Sequence, residues 1–274
     1  MDEIISLTTG LTTVVRHEPP RTEPSSSTSS TSLPLYMIAG HGLGPKNPKN
    51  RSHSNDSWVS LLSQATAAIV TAGTTGCCIS YTARGHGDSH GWEDTAETNP
   101  DQFTWRALSA DMVAIADYYQ LPPFVAAGSS MGSATALFAA MQYPDRVRAV
   151  VVVRPPTAWH ERLARRKFLL SSATKCKESD LASAEKFHLV LAGAATADLP
   201  DPAVESGEYA AIRCPVLLLT IAGDDSHPVS TAEALHRVIP QSTLHIAATD
   251  KVAHTEWPEI IGAFLRSLPA ATCS

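Results

Sequence analysis

The stretch FVAAGSSMG, residues 124–132, decides which fold this sequence predicts. Its first four residues are apolar or small and predict a short buried strand, and the alanine-rich segment 131–141 predicts a helix. The glycines on either side of Ser130 allow a sharp turn between the two, because they carry no side chains where strand and helix approach each other. Ser130 is therefore expected at the turn, in a strained backbone conformation.

Strand and helix patterns alternate on both sides of this stretch. Strands are expected at 35–39, 77–81, 149–153, 216–221 and 244–247, and helices at 58–71, 105–119, 230–238 and 257–268. This alternation is typical of βαβ units and predicts an α/β fold with a mostly parallel, doubly wound sheet. Near the start we expect a β-hairpin, followed at 19–32 by a flexible insertion rich in Pro, Ser and Thr.

The pattern changes after Pro155 and Pro156. Mixed, basic helical segments precede a stretch rich in Pro and Asp at 199–205. We therefore expect a small helical cap at 155–208, inserted into a core formed by 1–154 and 209–274. Ligands of such sheets bind outside the carboxyl ends of the strands, beneath an insertion of this kind. The short length of the cap favours a small or medium-sized substrate.

Composition narrows the classes of function. The 274 residues carry a formal net charge of −6, with 43% apolar and 18% charged residues, which is typical of a soluble globular protein and disfavours nucleic acid as a partner. The sequence has neither a basic leader before an apolar run nor the roughly 18 consecutive apolar residues of a membrane span, so a cytoplasmic protein is expected. Its five cysteines lack metal-ligand spacing, and we expect no metal and no cofactor. The sequence predicts no particular oligomeric state.

Several further motifs occur where this alternation places loops. They are GHGLG at 40–44, ARGHGDS at 83–89, YPDRV at 143–147 and Gly223-Asp224 after the strand at 216–221. Together with the turn at Ser130, they resemble the α/β-hydrolase superfamily over residues 33–268. The ARGHGDS run is similar to that of esterases, enol-lactone hydrolases and carbon–carbon bond hydrolases of this superfamily. The resemblance implies an α/β-hydrolase fold with a small cap, and a reaction class without a particular substrate.

Ser130 is the candidate nucleophile, because it occupies the strand-turn-helix setting of a nucleophile elbow. A serine hydroxyl is a poor nucleophile until a base removes its proton, and a third group has to orient that base. The developing oxyanion needs hydrogen-bond donors as well. One donor is expected to be the N–H of Met131, and the second the N–H of Leu43 in the loop after the strand at 35–39.

The resemblance implies that an acid and then a histidine follow the serine along the chain. For the acid it selects Asp224, since members often have a proline four residues later and Pro228 fits that spacing. Asp225 is the alternative.

For the base the resemblance selects His254. It implies a histidine between the last strand and a Pro-Glu pair that opens the final helix, here Pro258-Glu259, and His254 is the one histidine in that interval. Lys251 occupies the position that counting back from the proline selects. His227, close to Asp224, is the second candidate for the base.

These residues lead to one expected function and its alternatives. We expect a cofactor-independent serine hydrolase that cleaves an ester, a lactone or a similar carbonyl-centred bond of a small molecule through Ser130, His254 and Asp224. A carbon–carbon bond hydrolase or an acyltransferase would use the same groups. The alternative from another class is a noncatalytic ligand-binding protein with a degraded triad, motivated by the displaced position of His254.

Overall fold

The structure is a computed structural model that describes residues 2–18, 35–41, 76–84, 89, 102, 104–156, 207–225 and 227–269. Its strands are β1 (Asp2–Ser6), β2 (Thr12–Glu18), β3 (Leu35–His41), β4 (Gly76–Thr82), β5 (Phe124–Ser129), β6 (Val147–Val153), β7 (Val216–Ile221) and β8 (Ser242–Ala247). Its helices are α1 (Trp105–Tyr118), α2 (Met131–Gln142), α3 (Val229–Val238) and α4 (Asp250–Ser267), with a short 3-10 helix at Glu208–Ala211.

These strands form one sheet in the order β1-β2-β4-β3-β5-β6-β7-β8. The pairs β1·β2 and β2·β4 are antiparallel, and every other neighbouring pair is parallel. The chain runs from β3 outward to β4 and then returns to the opposite side of β3 to form β5, so that a topological switch point lies between β3 and β5. Ligands of α/β sheets bind outside the carboxyl ends of the strands at such a point. The predicted α/β fold with a mostly parallel sheet is confirmed.

Both faces of the central sheet are buried. The sequence of β6, VRAVVVV, explains this burial, because β-branched valines suit a strand that is covered on both faces. Val150 and Val152 belong to the core cluster that includes residues of α1, α2 and α3, whereas Val151 and Val153 belong to the cluster that includes residues of α4. The sheet is therefore the middle of three layers.

The last helix begins earlier than predicted. We expected it from 257, but α4 begins at Asp250 because Thr249 caps it: the Thr249 hydroxyl accepts a hydrogen bond from the Val252 N–H at 3.2 Å. Pro258 lies inside this helix instead of opening it. The loop between β8 and α4 is consequently reduced to two residues, 248 and 249.

The hairpin predicted near the start is confirmed as β1 and β2. The insertion expected at 19–32, the helix expected at 58–71 and residues 157–206 of the expected cap lie outside the described residues. Among the helices of the described ranges, none is both long and apolar enough to cross a membrane.

A buried ion pair joins the hairpin, the end of β4 and α1. Arg84 and Asp111 are 5% and 1% exposed, and the guanidinium donates from Nε to Oδ2 at 3.0 Å and from Nη2 to Oδ1 at 2.7 Å. Arg84 also donates to the Thr9 carbonyl, and the Thr9 hydroxyl donates to Asp111. Removal of one partner from such a pair leaves the other charge buried without compensation.

We predict that Asp111→Asn lowers the free energy of unfolding by about 3–5 kcal/mol, because the buried Arg84 guanidinium loses the charged carboxylate that accepts two of its hydrogen bonds. The matched control is Asp117→Asn on the same helix. It removes the ion pair between Arg146 and an aspartate that is 58% exposed, so that we expect a loss below about 1 kcal/mol. Urea unfolding followed by circular dichroism measures both losses. Equal losses in the two variants would contradict the importance of the buried pair.

The close approach of β5 and α2 depends on Gly128. A Cβ at this position would lie 2.0 Å from the carbonyl carbon and oxygen of Gly132, a separation that real Cβ atoms essentially never show. Both contact atoms belong to the backbone, so that no change of side-chain rotamer relieves the overlap. The close approach predicted from the two glycines is confirmed.

We predict that Gly128→Ala lowers the free energy of unfolding by at least about 3 kcal/mol or prevents folding, because α2 has to move away from β5. The control is Gly207→Ala. Gly207 has φ +79° and open space around it, so that this change adds only left-handed backbone strain of about 1–2 kcal/mol. Soluble yield and thermal unfolding compare the two variants. A Gly128→Ala protein as stable as Gly207→Ala would rule out this packing constraint.

Candidate active site

Ser130 lies at the turn between β5 and α2. Its φ of +52° places a residue with a side chain in a region that favours glycine, which costs on the order of 1–3 kcal/mol. Two contacts hold this conformation. The Ser130 N–H donates to the Val153 carbonyl of β6 at 3.0 Å, and the Ser130 carbonyl accepts a hydrogen bond from the hydroxyl of buried Ser133 at 2.6 Å. The strained turn predicted for Ser130 is confirmed.

The Ser130 hydroxyl lies within hydrogen-bond distance of a histidine from a distant part of the chain. His227 Nε2 is 2.9 Å from Ser130 Oγ, and His227 Nδ1 is 2.9 Å from Oδ2 of Asp224. Since an ionised carboxylate only accepts hydrogen bonds, Nδ1 carries the proton and Nε2 accepts the hydrogen bond from Ser130. Ser130, His227 and Asp224 thus form a continuous chain of hydrogen bonds.

One short loop after β7 supplies both the aspartate and the histidine. The His227 N–H donates to Oδ1 of Asp224 and to the Asp224 carbonyl, at 3.2 Å in each case. Gly223, with φ +76°, provides the left-handed residue before the turn, and Pro228 occupies the position directly before α3. Aspartate side chains commonly accept hydrogen bonds from backbone N–H groups a few residues further along the chain. The spacing Asp-x-x-His therefore directs the two side chains toward each other.

The structure places His254, the histidine expected as the base, on the surface of a helix. His254 lies in the second turn of α4 and is exposed, and its Nδ1 is hydrogen-bonded to the Asp250 carbonyl at 2.7 Å. The early start of α4 is the reason, because it places His254 on the surface of a helix instead of in a loop. His227, the second candidate from the sequence, makes the contact with Ser130 that was expected of His254.

The other predicted residues have separate outcomes. Asp224 contacts the histidine, whereas its alternative Asp225 is exposed. Met131 is the first residue of α2, next to Ser130, so that its N–H has no hydrogen-bond partner within the helix. Leu43 lies outside the described residues. In the described ranges, no group of three or more His, Cys, Asp or Glu side chains is arranged to hold a metal ion.

This arrangement has a defined chemical capacity. An imidazole that accepts a hydrogen bond from a serine hydroxyl can take its proton, and the carboxylate behind the imidazole stabilises the resulting positive charge. The amino-terminal end of α2 carries the positive end of the helix dipole beside Ser130, which favours negative charge there. The site can therefore activate the hydroxyl and stabilise an anion next to it.

A family model described as alpha/beta hydrolase fold matches residues 41–174 of the chain. Similar solved structures include an enol-lactonase from Burkholderia xenovorans, an esterase from Exiguobacterium antarcticum and a proline iminopeptidase from Mycobacterium smegmatis. Their sequence identities are 14%, 14% and 15% and their TM-scores 0.62, 0.65 and 0.61; the alignments cover 97% of this chain and 99%, 100% and 96% of theirs.

No curated protein sequence matches the chain. At identities of 14–15%, the likeness to the solved structures concerns the fold and not the substrate. The sheet order, the strained turn at Ser130, the family match and these structures together identify the chain as a protein with the α/β hydrolase fold.

Proposed function

We propose that this protein is a cofactor-independent serine hydrolase that cleaves an ester, a lactone or a similar carbonyl-centred bond of a small molecule. The supporting observation is the chain of hydrogen bonds from Ser130 through His227 to Asp224, with both distances at 2.9 Å. A general base has to lie within about 2.6–3.2 Å of the group whose proton it takes. Ser130 is then the nucleophile, His227 the base and Asp224 the acid that orients the base.

The reaction consists of two transfers of an acyl group. Ser130 Oγ attacks the carbonyl carbon while His227 Nε2 takes the hydroxyl proton, and the carbonyl π electrons move to the oxygen. When the tetrahedral intermediate collapses, the bond to the alcohol oxygen breaks and His227 returns its proton to that oxygen. A water molecule that loses a proton to His227 then attacks the acyl-enzyme. When the second intermediate collapses, the bond between the carbonyl carbon and Ser130 Oγ breaks and His227 gives its proton to Oγ, which releases the carboxylic acid and regenerates the hydroxyl.

The oxyanion of each intermediate requires donors placed in advance. The Met131 N–H at the start of α2 is the first donor of this proposal, because it follows the nucleophile directly and has no partner within the helix. The Leu43 N–H is the second donor, assigned from the resemblance of its GHGLG loop to that of the superfamily. Loss of one such donor typically costs roughly a hundredfold to a thousandfold in kcat.

Asp224 supports each step without a bond to the substrate. Its carboxylate accepts the Nδ1 hydrogen and thereby selects the tautomer in which Nε2 is the acceptor. It also stabilises the imidazolium that forms after each proton transfer. The second contact, from the His227 N–H to Oδ1, fixes the orientation of the carboxylate relative to the ring.

The proposed substrate class rests on the site and on the cap. The cap expected from the sequence at 155–208, of which residues 157–206 lie outside the described residues, is short and supports a small or medium-sized substrate. An enol-lactonase and an esterase among the similar structures are consistent with a carbonyl-centred substrate. A carbon–carbon bond hydrolase or an acyltransferase would use the same residues. The noncatalytic alternative rested on the displaced position of His254, and the contact of His227 with Ser130 removes that reason.

A fluorophosphonate probe tests the proposal, because it reacts covalently with activated serines. We expect stoichiometric labelling of Ser130, mapped by mass spectrometry, together with hydrolysis of p-nitrophenyl acetate or of small lactones. Ser130→Ala abolishes the labelling, whereas the control Ser129→Ala, one residue away, retains it. A folded wild-type protein that neither reacts with the probe nor hydrolyses any ester or lactone of the panel would refute the proposal.

We predict that His227→Ala lowers kcat for p-nitrophenyl acetate at least about a thousandfold, because the hydroxyl of Ser130 loses its proton acceptor. The matched control is His254→Ala, which we expect to change kcat less than twofold, since this exposed histidine is bonded to its own helix. Steady-state kinetics on the two variants separates the two histidines. Loss of activity in His254→Ala with retention in His227→Ala would reverse the assignment.

A further inference from the structure

Arg154 lies next to the candidate triad in a strained conformation. It directly follows β6 and has φ +50°, although a residue with a long side chain rarely adopts positive φ. The described non-glycine residues with positive φ are Gln120, Ser130 and Arg154. The Arg154 N–H donates to the Leu219 carbonyl of β7 at 2.7 Å, which fixes the strained residue to the neighbouring strand. Strain of this kind persists where the surrounding structure enforces it, often at functional sites.

The Arg154 side chain lies between two carboxylates. Its Nε is 3.9 Å from Oδ2 of Asp224, the same oxygen that accepts the hydrogen bond from His227 Nδ1. Its Nη2 is hydrogen-bonded to Oδ1 of Asp250, the first residue of α4. The Arg154 and Asp224 side chains are 28% and 20% exposed, so that the pair is partly shielded from solvent. Arg154 thus connects the acid of the triad to the start of a helix.

None of the described residues at 222–228, the loop that carries Asp224, is buried in the core, whereas α4 has several buried residues. Ala222, Gly223 and Asp225 are all exposed, whereas α4 is anchored in the core through Ala253 and Trp257. Asp250 is itself well placed, because a carboxylate in the first turn of a helix interacts favourably with the helix dipole. The guanidinium therefore contacts both Asp224 and the first residue of a helix that is anchored in the core.

We propose that Arg154 is a positioning residue that braces the Asp224 carboxylate against the start of α4 and so keeps His227 aligned with Ser130. This inference rests on the proposed function. A guanidinium suits the role because its nitrogens point in fixed, different directions, so that one can face Asp224 while another binds Asp250. A lysine ammonium is a single point of charge on a flexible stem and cannot hold both carboxylates in the same geometry.

The test compares Arg154→Met, Arg154→Lys and Asp250→Asn with wild type in ester hydrolysis. We expect Arg154→Met to lower kcat about tenfold with KM changed less than twofold, because the brace acts on the catalytic groups and not on substrate binding. We expect kcat of Arg154→Lys to lie closer to that of Arg154→Met than to that of wild type when the three values are compared on a logarithmic scale. Asp250→Asn lowers kcat about threefold. The double variant Arg154→Met/Asp250→Asn is no slower than Arg154→Met alone, because both changes break the same contact between Arg154 and Asp250.

The matched control is Arg266→Met, which removes an exposed ion pair between Arg266 and Glu259 on the same helix. We expect its kcat to equal that of wild type. An unchanged or higher kcat in Arg154→Met overturns the proposal. An equal effect of Arg266→Met overturns it as well, because the loss would then reflect α4 in general.

Proton NMR of the His227 Nδ1 hydrogen provides a readout that requires no turnover. We expect a downfield resonance in wild type that disappears in His227→Gln and that shifts and exchanges faster with water in Arg154→Met. An identical resonance in Arg154→Met overturns the brace. If wild type fails both the fluorophosphonate and the ester assays, the proposed function falls, and this resonance still decides whether Arg154 orders the Asp224–His227 pair.

Discussion

The hydrogen bond from the Ser130 N–H to the Val153 carbonyl is the contact on which the rest of the site depends. It ties the turn after β5 to the last residue of β6. Arg154, the next residue, then donates its N–H to Leu219 of β7. The carboxyl ends of three neighbouring parallel strands are thus joined at the point where serine, histidine and aspartate meet. Parallel strands present these ends at one edge, and the register of the sheet therefore sets the distances within the site.

The core explains why two strained residues persist at this edge. β5, β6 and β7 are buried on both faces, and every second residue packs into one of two opposite clusters. A rotation of Ser130 or Arg154 toward relaxed φ values would shift these strand ends and disturb both clusters. Gly128 adds a further constraint, since α2 lies so close to β5 that a single methyl group has no room. Strain at the site is therefore stabilised by packing in the interior.

Sequence patterns reveal the elements of this fold more readily than the partners of its side chains. The valine-rich strand at 147–153 and the glycines around Ser130 can be interpreted locally, because burial on both faces and a sharp turn demand particular residue types. The partner of the Ser130 hydroxyl cannot, since it lies 97 residues away and depends on strand register. Two local signals nevertheless favour His227. Thr249 caps α4, so that His254 lies in a helix and not in a loop, and the spacing Asp224-x-x-His227 forms a turn in which the two side chains meet.

The short separation of Asp224 and His227 along the chain has a structural consequence. Asp224 and His227 are held together by three contacts within one loop, and the distance that remains to be fixed is the one between this pair and Ser130. The carboxyl end of β6 contacts both Ser130 and Asp224. Val153 holds the turn at Ser130 through its carbonyl, and Arg154 faces Asp224 through its guanidinium. Two consecutive residues, Val153 and Arg154, thus contact Ser130 on one side of the site and Asp224 on the other. The second contact gives a physical reason for an arginine at a position whose positive φ would suit glycine better.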